Sequence, residues 1–449
     1  MSTIIQTLTQ KGNHIYLLFD RLWSKEWSPH IVDKFVENSD TIEVEWSLQR
    51  NDFWRNIIFP SRELRSYISY LKRPDQSKYY LKRWRKYLPS FLKKRVKSKF
   101  YRRIYNLPPI RILLENFEKI VPPDKKICKD LIQKKPDVVV ITPMNMRFSE
   151  EIEYTKAANH LNIPTIVPVY SWDNLTTKGL FHIIPDLTLV WNKVQRQEAI
   201  AIHAVPDDKI LITGSPFFDK WFNSDHMKEN RFDFCRRIGL DPDKPFILYL
   251  GSSINIAKDE TWLIEEIYNR IKSNKDSRIR ELRILVRPHP AHSKHYARLE
   301  NKDIVVWPKE GALPEEENSQ RDFLNMLCHS ILTIGINTSG MIDAVINKKP
   351  CLTIMTEQYL TTQQQALHFK HLLKADVLEV THSPQEAIVA IQNIMEGRDR
   401  HRDQRIQFVK DFVRPCGLQQ EAGKVAALAI ELAANGKSAS EIQDLLCGQ

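Results

Sequence analysis

The sequence predicts an α/β protein made of two Rossmann-like, doubly wound parallel-sheet domains. Three observations predict it. At 449 residues the chain is too long for one ordinary core and suggests two domains of roughly 200 residues each. From residue 131 onward, short β-type runs alternate with helical ones, the alternation that builds parallel sheets. The alternation also occurs twice, on either side of a polar and aromatic stretch over 215–244. The expected boundaries are a first domain over 1–222 with a basic aromatic insertion at 70–111, a second domain over 240–400, and helices over 401–435 that lack a strand partner and pack back on the first domain.

The chain opens with IIQTLTQKGNHIYLLFD, which reads as a helix, a turn and a strand. A parallel sheet ordinarily opens with its central strand, so either the first strand comes from elsewhere or the given start is late. In the first series PDVVVIT (136–142) is a buried strand and EEIEYTKAANHLN (150–162) a helix. IPTIVPV (163–169) and DLTLVW (186–191) are strands, KVQRQEAIAIHAV (193–205) is a helix, and KILITG (209–214) is the strand after it. The second series begins with the strand in PFILYLGS (245–252), followed by the helix DETWLIEEIYNRIKS and the strand and exit loop LRILVRPHP. KDIVVWP is a strand, SQRDFLNMLCHS a helix, ILTIGINTSG a strand and loop, MIDAVINKK a helix, PCLTIM a strand and QEAIVAIQNIME a helix.

Composition is that of a globular protein, 42% hydrophobic and 27% charged, and no apolar run approaches the ~18 to 20 residues of a membrane span. The start MSTIIQTLTQKGNH lacks the charged-then-apolar pattern of a secretion signal, which predicts a cytoplasmic protein. The six cysteines, Cys128, Cys235, Cys328, Cys351, Cys416 and Cys447, are scattered without a CxxC pair and read as reduced thiols. The net charge of +11 is local: residues 70–111 hold fifteen Lys or Arg against one acid, Asp75, so that stretch carries +14 and everything else −3. Its cations are interleaved with Tyr79, Tyr80, Trp84, Tyr87, Phe91, Phe100, Tyr101 and Tyr105, a mixture suited to an anionic membrane surface. Nucleic acid asks for the same residue types, and a solvated helical face over a small core is the plainer alternative.

Arg287-Pro288-His289-Pro290 stands at the exit of a strand, where ligands of open α/β sheets bind. The prolines stiffen the turn and place Arg287 and His289 to meet an anion, Arg287 with two donors for phosphate oxygens. A structural turn with a surface arginine would use the same residues. His292 and His295 follow at three-residue spacing, but the prolines interrupt a helix and no Cys or carboxylate stands at ligand spacing, so no metal is expected. Gly335-Ile336-Asn337-Thr338-Ser339-Gly340 leads from a strand into a helix and resembles a phosphate cradle, with hydroxyls on Thr338 and Ser339 and close backbone approach at Gly340. It is no Walker loop, since GKS or GKT is missing, and a plain N-cap is the alternative. Gly251-Ser252-Ser253 is a weaker motif of the same kind, and Asp241-Pro242-Asp243 reads as a turn before a strand and not as a metal-binding DxD. The loop YSWDNLTTKG (170–179) crowds Trp172, Asp173, Asn174 and Lys178 into one connection, more chemistry than a turn requires.

Two Rossmann-like halves with the phosphate motifs in the second resemble the GT-B glycosyltransferases. SGMIDAVINKKPCL (339–352) resembles the SG, EA, GKP pattern shared by that superfamily and the UDP-GlcNAc 2-epimerases, with Asp343 where a Glu often holds the ribose and Lys348 in place of glycine. The closer resemblance is to the CDP-glycerol glycerophosphotransferases and related capsule or teichoic-acid transferases, which carry an RPHP-like turn and a WHGxxxKxxG loop. Laid on that loop, Trp172-Asp173-Asn174 and Lys178-Gly179 match with a shortened Lys-to-Gly interval, and Asp173 replaces the His that is the family's proposed base. The resemblance spans about residues 130 to 400.

This resemblance implies two domains facing across a cleft and an inverting transfer, with Asp173 in the first as general base for an acceptor hydroxyl. Trp172 would stack on a sugar, Asn174 would orient the carboxylate and Lys178 would hold an anion. In the second domain Arg287, His289, Ser252, Ser253, Thr338, Ser339 and Gly340 would take the leaving diphosphate, with Asp343 on the ribose. Glu357, Gln358 and Gln363 to Gln365 would reach the sugar, unless TEQYLTTQQQALHF is only a polar helix start. The implied donor is UDP-, CDP- or CMP-linked with no obligatory cofactor, and the implied acceptor is a saccharide or lipid-linked chain of surface polysaccharide or capsule. The rivals are a nucleotide-sugar epimerase and a non-catalytic binding module of the same fold.

Overall fold

The computed structural model describes residues 2–20, 40–73, 78–147, 149–312 and 316–447, so Asp75 lies outside the described residues. The chain divides into two compact units, one of residues 1–219 with 410–449 and one of residues 220–409. Both are α/β with parallel sheets.

In the first unit β3 (Val139–Val140), β4 (Thr165–Pro168), β5 (Leu187–Val190) and β6 (Ile210–Ile212) form a parallel sheet in chain order, beside a separate parallel pair of β1 (Ile15–Phe19) and β2 (Ile42–Trp46). The strands are shorter than the apolar runs that contain them. Pro136, Pro143, Pro164 and Pro168 bring no backbone donor and stop the ladders. The opening helix, Ser2–Gln10, finds its partner at the far end of the chain, against helix Ala422–Ala434. A Cβ on Gly423 would lie 2.5 Å from the Thr3 Cβ, so glycine is what lets the two helices meet. The start of helix 422–434 is held by Asp219, which accepts from the Ala422 and Gly423 amides at 2.9 and 2.7 Å and from Arg414 at 2.7 Å. A carboxylate there complements the helix dipole. Ile4, Ile166, Leu187, Leu189, Leu211, Val425 and Ile430 make the core beneath this layer.

Residues 55–134 of the same unit are helical, with segments at Arg55–Lys72, Lys78–Tyr87, Ser90–Arg95, Lys99–Tyr105, Pro108–Ile120 and Lys125–Lys134. They are fastened by buried ions: Arg62 pairs with Glu118 at 2.7 Å and Glu153 at 2.6 Å, and Arg50 with Glu153 at 2.8 Å. The basic stretch is therefore not a single solvated face. Tyr80, Trp84, Leu88, Leu92 and Val96 are buried, while Phe91, Phe100, Leu107, Ile112, Leu113 and Ile120 stand in solvent among the cations.

In the second unit β7 (Phe246–Leu250), β8 (Arg283–Arg287), β9 (Ile304–Val306), β10 (Thr333–Gly335), β11 (Cys351–Ile354) and β12 (Glu379–Thr381) lie in the order β12-β11-β10-β7-β8-β9, all parallel. That is the doubly wound order, and its reversal point falls between β7 and β10. The exits of these two strands, and of β8 beside them, are where a ligand of such a sheet sits.

Candidate functional site

The loop 170–179 follows β4 and contains one turn of helix, Asn174–Thr177. Its backbone is clasped by the helices of the basic stretch. Tyr70 donates to the carbonyls of Thr176 and Lys178 at 3.2 and 2.8 Å, Arg73 to that of Thr176 at 3.1 Å and the Trp84 indole to that of Thr177 at 3.3 Å. Tyr70 and Trp84 stack with centroids 5.5 Å apart. From the other side His203 lies 2.8 Å from the Leu175 carbonyl through Nε2 and accepts the Phe181 amide at Nδ1. Burial, helped by Arg73, pulls the His203 pKa down to about 3, so the ring holds the loop as a neutral group. Part of the aromatic content that suggested an interface thus frames this loop.

Asp173 ends up with a fixed carboxylate. Ser171 donates to Oδ1 at 2.6 Å, Thr177 to Oδ2 at 2.7 Å, and the Lys178 ammonium stands 3.8 Å from Oδ2. Two expectations for this loop are corrected. Asn174 does not orient the carboxylate: it is buried and donates to the Asn145 side chain at 2.9 Å, while Asn145 returns bonds to the carbonyls of Asn174 and Gly179. Trp172 is only 6% exposed, a packed ring instead of an open face for a sugar. Ser171 and Thr177, which do orient Asp173, had no signal in the sequence beyond their nearness to it.

In the second unit Arg287 ends β8 half-buried. Its guanidinium lies 4.4 Å from the Phe323 ring centroid and donates through Nη2 to Ser319 at 3.1 Å, while Nη1 is buried with no hydrogen-bond partner among the described residues. Burial pulls its pKa down to about 10 against the pull of Asp343 and Asp322. Those two acids are engaged elsewhere, Asp343 with the Trp221 indole and Asp322 with Arg237 and Trp307. Among the described residues Arg287 makes no ion pair, and a cation with a buried, unfilled donor is costly unless an anion arrives to meet it. His289 caps the turn that follows, its Nδ1 accepting the Ala291 amide at 3.2 Å, so the neutral ring carries its proton on Nε2 as a donor. Burial lowers its pKa, which fits that neutral form.

The glycine-serine motif after β7 is corrected in part. Ser252 is fully buried, and both its amide and its hydroxyl donate to Glu260, so it has nothing left for a phosphate. Ser253 stays partly exposed and its side chain makes no hydrogen bond among the described residues. After β10, Ser339 is exposed and starts helix Gly340–Ile346 without capping it, and Thr338 accepts the Gly340 amide at 3.3 Å. Asp343 is buried with its Oδ1 2.5 Å from the Trp221 indole nitrogen, which corrects its expected place on a ribose: one oxygen is spent inside the unit. Glu357 is exposed at a short turn, Glu357–Tyr359, but Gln363 is fully buried and donates to the ends of β10 and β11 as a strut. His292 and His295 hold the Lys258 carbonyl at 3.0 Å and Asp259 at 2.8 Å. Among the described residues no cluster of His, Cys, Asp and Glu is placed to hold a metal ion.

A family model described as CDP-glycerol:poly(glycerophosphate) glycerophosphotransferase matches residues 179–417, more than half of the chain. The chain belongs to this family. With two parallel-sheet α/β units, it has the make-up of the GT-B class. The matched stretch of this glycerophosphotransferase family member takes in the whole second unit and begins at Gly179, the last residue of the Asp173 loop. A curated relative, the processive diacylglycerol beta-glucosyltransferase of Staphylococcus saprophyticus, is 27% identical over 154 residues, 32% of this chain and 34% of the relative. The chain thus spans about a third of the length of that relative. Similar solved structures include S. aureus MnaA with UDP (14% identity, 94% of this chain and 97% of that one, TM-score 0.48). Others are Methanocaldococcus jannaschii UDP-GlcNAc 2-epimerase with UDP-GlcNAc and UDP (15%, 93% and 99%, 0.48) and the wall teichoic acid polymerase TagF (14%, 56% and 58%, 0.39).

Proposed function

We propose that the chain is a transferase of cell-surface polymer synthesis that moves a glycerol phosphate, polyol phosphate or sugar from a nucleotide-activated donor to a saccharide or lipid-linked acceptor, by an inverting displacement and without an obligatory metal. The observation that carries the reading is Arg287, whose Nη1 is buried without a partner among the described residues, at the exit of β8, beside the sheet's reversal point. The donor's diphosphate supplies the missing charge and acceptors, and Arg287 grips it with two donors; the nucleotide then leaves as the diphosphate when a sugar moves and as the monophosphate when a glycerol or polyol phosphate moves. His289 Nε2, Ser253 and the Thr338–Ser339 turn add neutral donors. In the first unit Asp173 takes the proton of the acceptor hydroxyl, with Lys178 beside it to attract an acceptor phosphate. Family membership supports the donor class. The test is a thermal-shift panel of CDP, UDP, GDP and CMP: one nucleoside diphosphate should raise the melting temperature, since a ligand of the native state stabilises it. No response to any of them would sink the donor reading.

A lipid-linked acceptor would lie at a membrane surface, and the solvent-facing rim of residues 90–120 suits a peripheral position on the inner face of the membrane. Phe91 and Phe100 are 54% and 65% exposed between Lys93, Lys94, Lys97 and Lys99, and among the described residues no helix is long and apolar enough to cross a membrane. Combining Phe91→Ser and Phe100→Ser with Lys94→Glu and Lys97→Glu is expected to weaken binding to anionic vesicles at least about a hundredfold. All four side chains are exposed, so the melting temperature should hold. Unchanged pelleting would remove the membrane from the proposal.

A further inference from the structure

We propose that Glu260 is the positioning residue for the donor diphosphate, acting through the turn after β7 on Arg287; this rests on the reading of the second unit given above. Glu260 is 1% exposed and forms no ion pair among the described residues. Its carboxylate instead accepts from the Ser252 amide, from the Ser252 hydroxyl at 3.3 Å, from Tyr249 at 3.0 Å and from Tyr296. Burying a carboxylate without a cation is unfavourable even when its lone pairs are filled, so stability alone is a poor account of it. What the four bonds share is their origin on three segments: β7 itself, the turn leaving it, and the helical stretch Pro290–Leu299 that follows the Arg287 turn.

Those segments are also in contact where the ligand donors start. The Gly251 amide donates to the Arg287 carbonyl at 2.8 Å. A Cβ at position 251 would stand 2.8 Å from the Tyr296 hydroxyl and 3.1 Å from both the Arg287 carbonyl oxygen and the His289 nitrogen. The turn, Arg287 and His289 are therefore one closely packed body, and Glu260 is the group that joins its parts. A second ring of bonds keeps Glu260 in place: Tyr359 donates to the Asp259 carbonyl, Trp262 donates to Tyr359 at 2.8 Å, and His292 and His295 hold Lys258 and Asp259. With the Ser252 amide turned inward to Glu260, the amides of Ser253, Ile254 and Asn255 keep no partner among the described residues. Losing the carboxylate would free the turn and blur the position of Arg287.

The experiment is calorimetric titration of the full chain with CDP and CMP, and with UDP and UMP as a second pair, on wild type, Glu260→Gln and Tyr296→Phe. Wild type is expected to prefer the diphosphate. The preference should shrink about tenfold in Glu260→Gln, as when a charge-assisted hydrogen bond is misplaced, and about threefold in Tyr296→Phe. Monophosphate affinity should stay near wild type in both. Tyr296→Phe removes a single hydroxyl and decides the matter if Glu260→Gln does not fold. An unchanged preference in the folded variants, or an equal loss for diphosphate and monophosphate together with a lowered melting temperature, overturns the positioning role. A wild type that binds the nucleotides with no preference for the diphosphate, or binds none of them, overturns the reading of the second unit and this inference with it.

Discussion

Arg287→Met is expected to abolish detectable nucleoside diphosphate binding while leaving the ligand-free fold as stable as wild type or more so. Removing a charged, two-donor contact to a phosphate costs about 2 to 4 kcal/mol, or roughly 30- to 1000-fold in affinity. The ligand-free protein responds in the opposite sense. A guanidinium whose pKa burial pulls down to about 10 is a destabilising group, and Nη1 adds an unfilled donor. Methionine keeps most of the volume and the packing on Phe323 while removing both costs, the trade seen when buried charges give way to apolar side chains. The measurement is a pair of melting curves, with and without the nucleotide that stabilises wild type. A retained ligand-induced shift in Arg287→Met would return Arg287 to the status of a structural residue. A large fall in the melting temperature of the free protein would do the same, because it would mean that the guanidinium is supporting the fold.

The second unit was the more legible half of the sequence, for a physical reason. Parallel strands covered on both faces read as unbroken apolar runs, and FILYL and IVV are of that kind, every residue buried. β12 went unread because three residues, EVT, carry no period. Arg287, Ser253 and Ser339 do lie at or just past the ends of β8, β7 and β10, where the sequence places them. What no window of sequence contains is which of their donors are already taken: the Ser252 hydroxyl is used by a carboxylate eight residues on, and Asp343 by an indole 122 residues away. Only the closed fold makes those pairs. The helical region 55–134 was illegible for another reason. Arg62, Glu118 and Glu153 look like surface charge in a sequence, yet they are buried together, and their cost is offset only by the partners that folding brings. In the same way Trp84 and Tyr80 sit in a run of lysines that suggests an interface, yet both rings are buried and the Trp84 indole donates to the Asp173 loop.

Asp173→Asn is expected to lower turnover about 100- to 10,000-fold, the range for removing a general base, with nucleotide binding unchanged. The substitution is nearly isosteric, and its supports tolerate it: Ser171 still finds a carbonyl oxygen at Oδ1, and the Thr177 hydroxyl accepts from the new amide where it formerly donated. The loop itself is held through backbone carbonyls by Tyr70, Arg73 and Trp84, none of which touches the carboxylate. A fall in turnover in Asp173→Asn therefore reports chemistry and not unfolding. Lys178→Ala separates the two neighbours, because an ammonium that attracts an acceptor phosphate acts in binding: its loss should raise the acceptor KM with a smaller change in kcat. The readout is free nucleotide released from the stabilising donor in the presence of vesicles carrying a lipid-linked acceptor. Turnover of Asp173→Asn within about threefold of wild type would exclude Asp173 as the base, since removing a true base costs far more. Among the described residues of that unit, His182 and His203 have pKa values pulled down by desolvation and are tied into the fold, so neither stands ready to replace it.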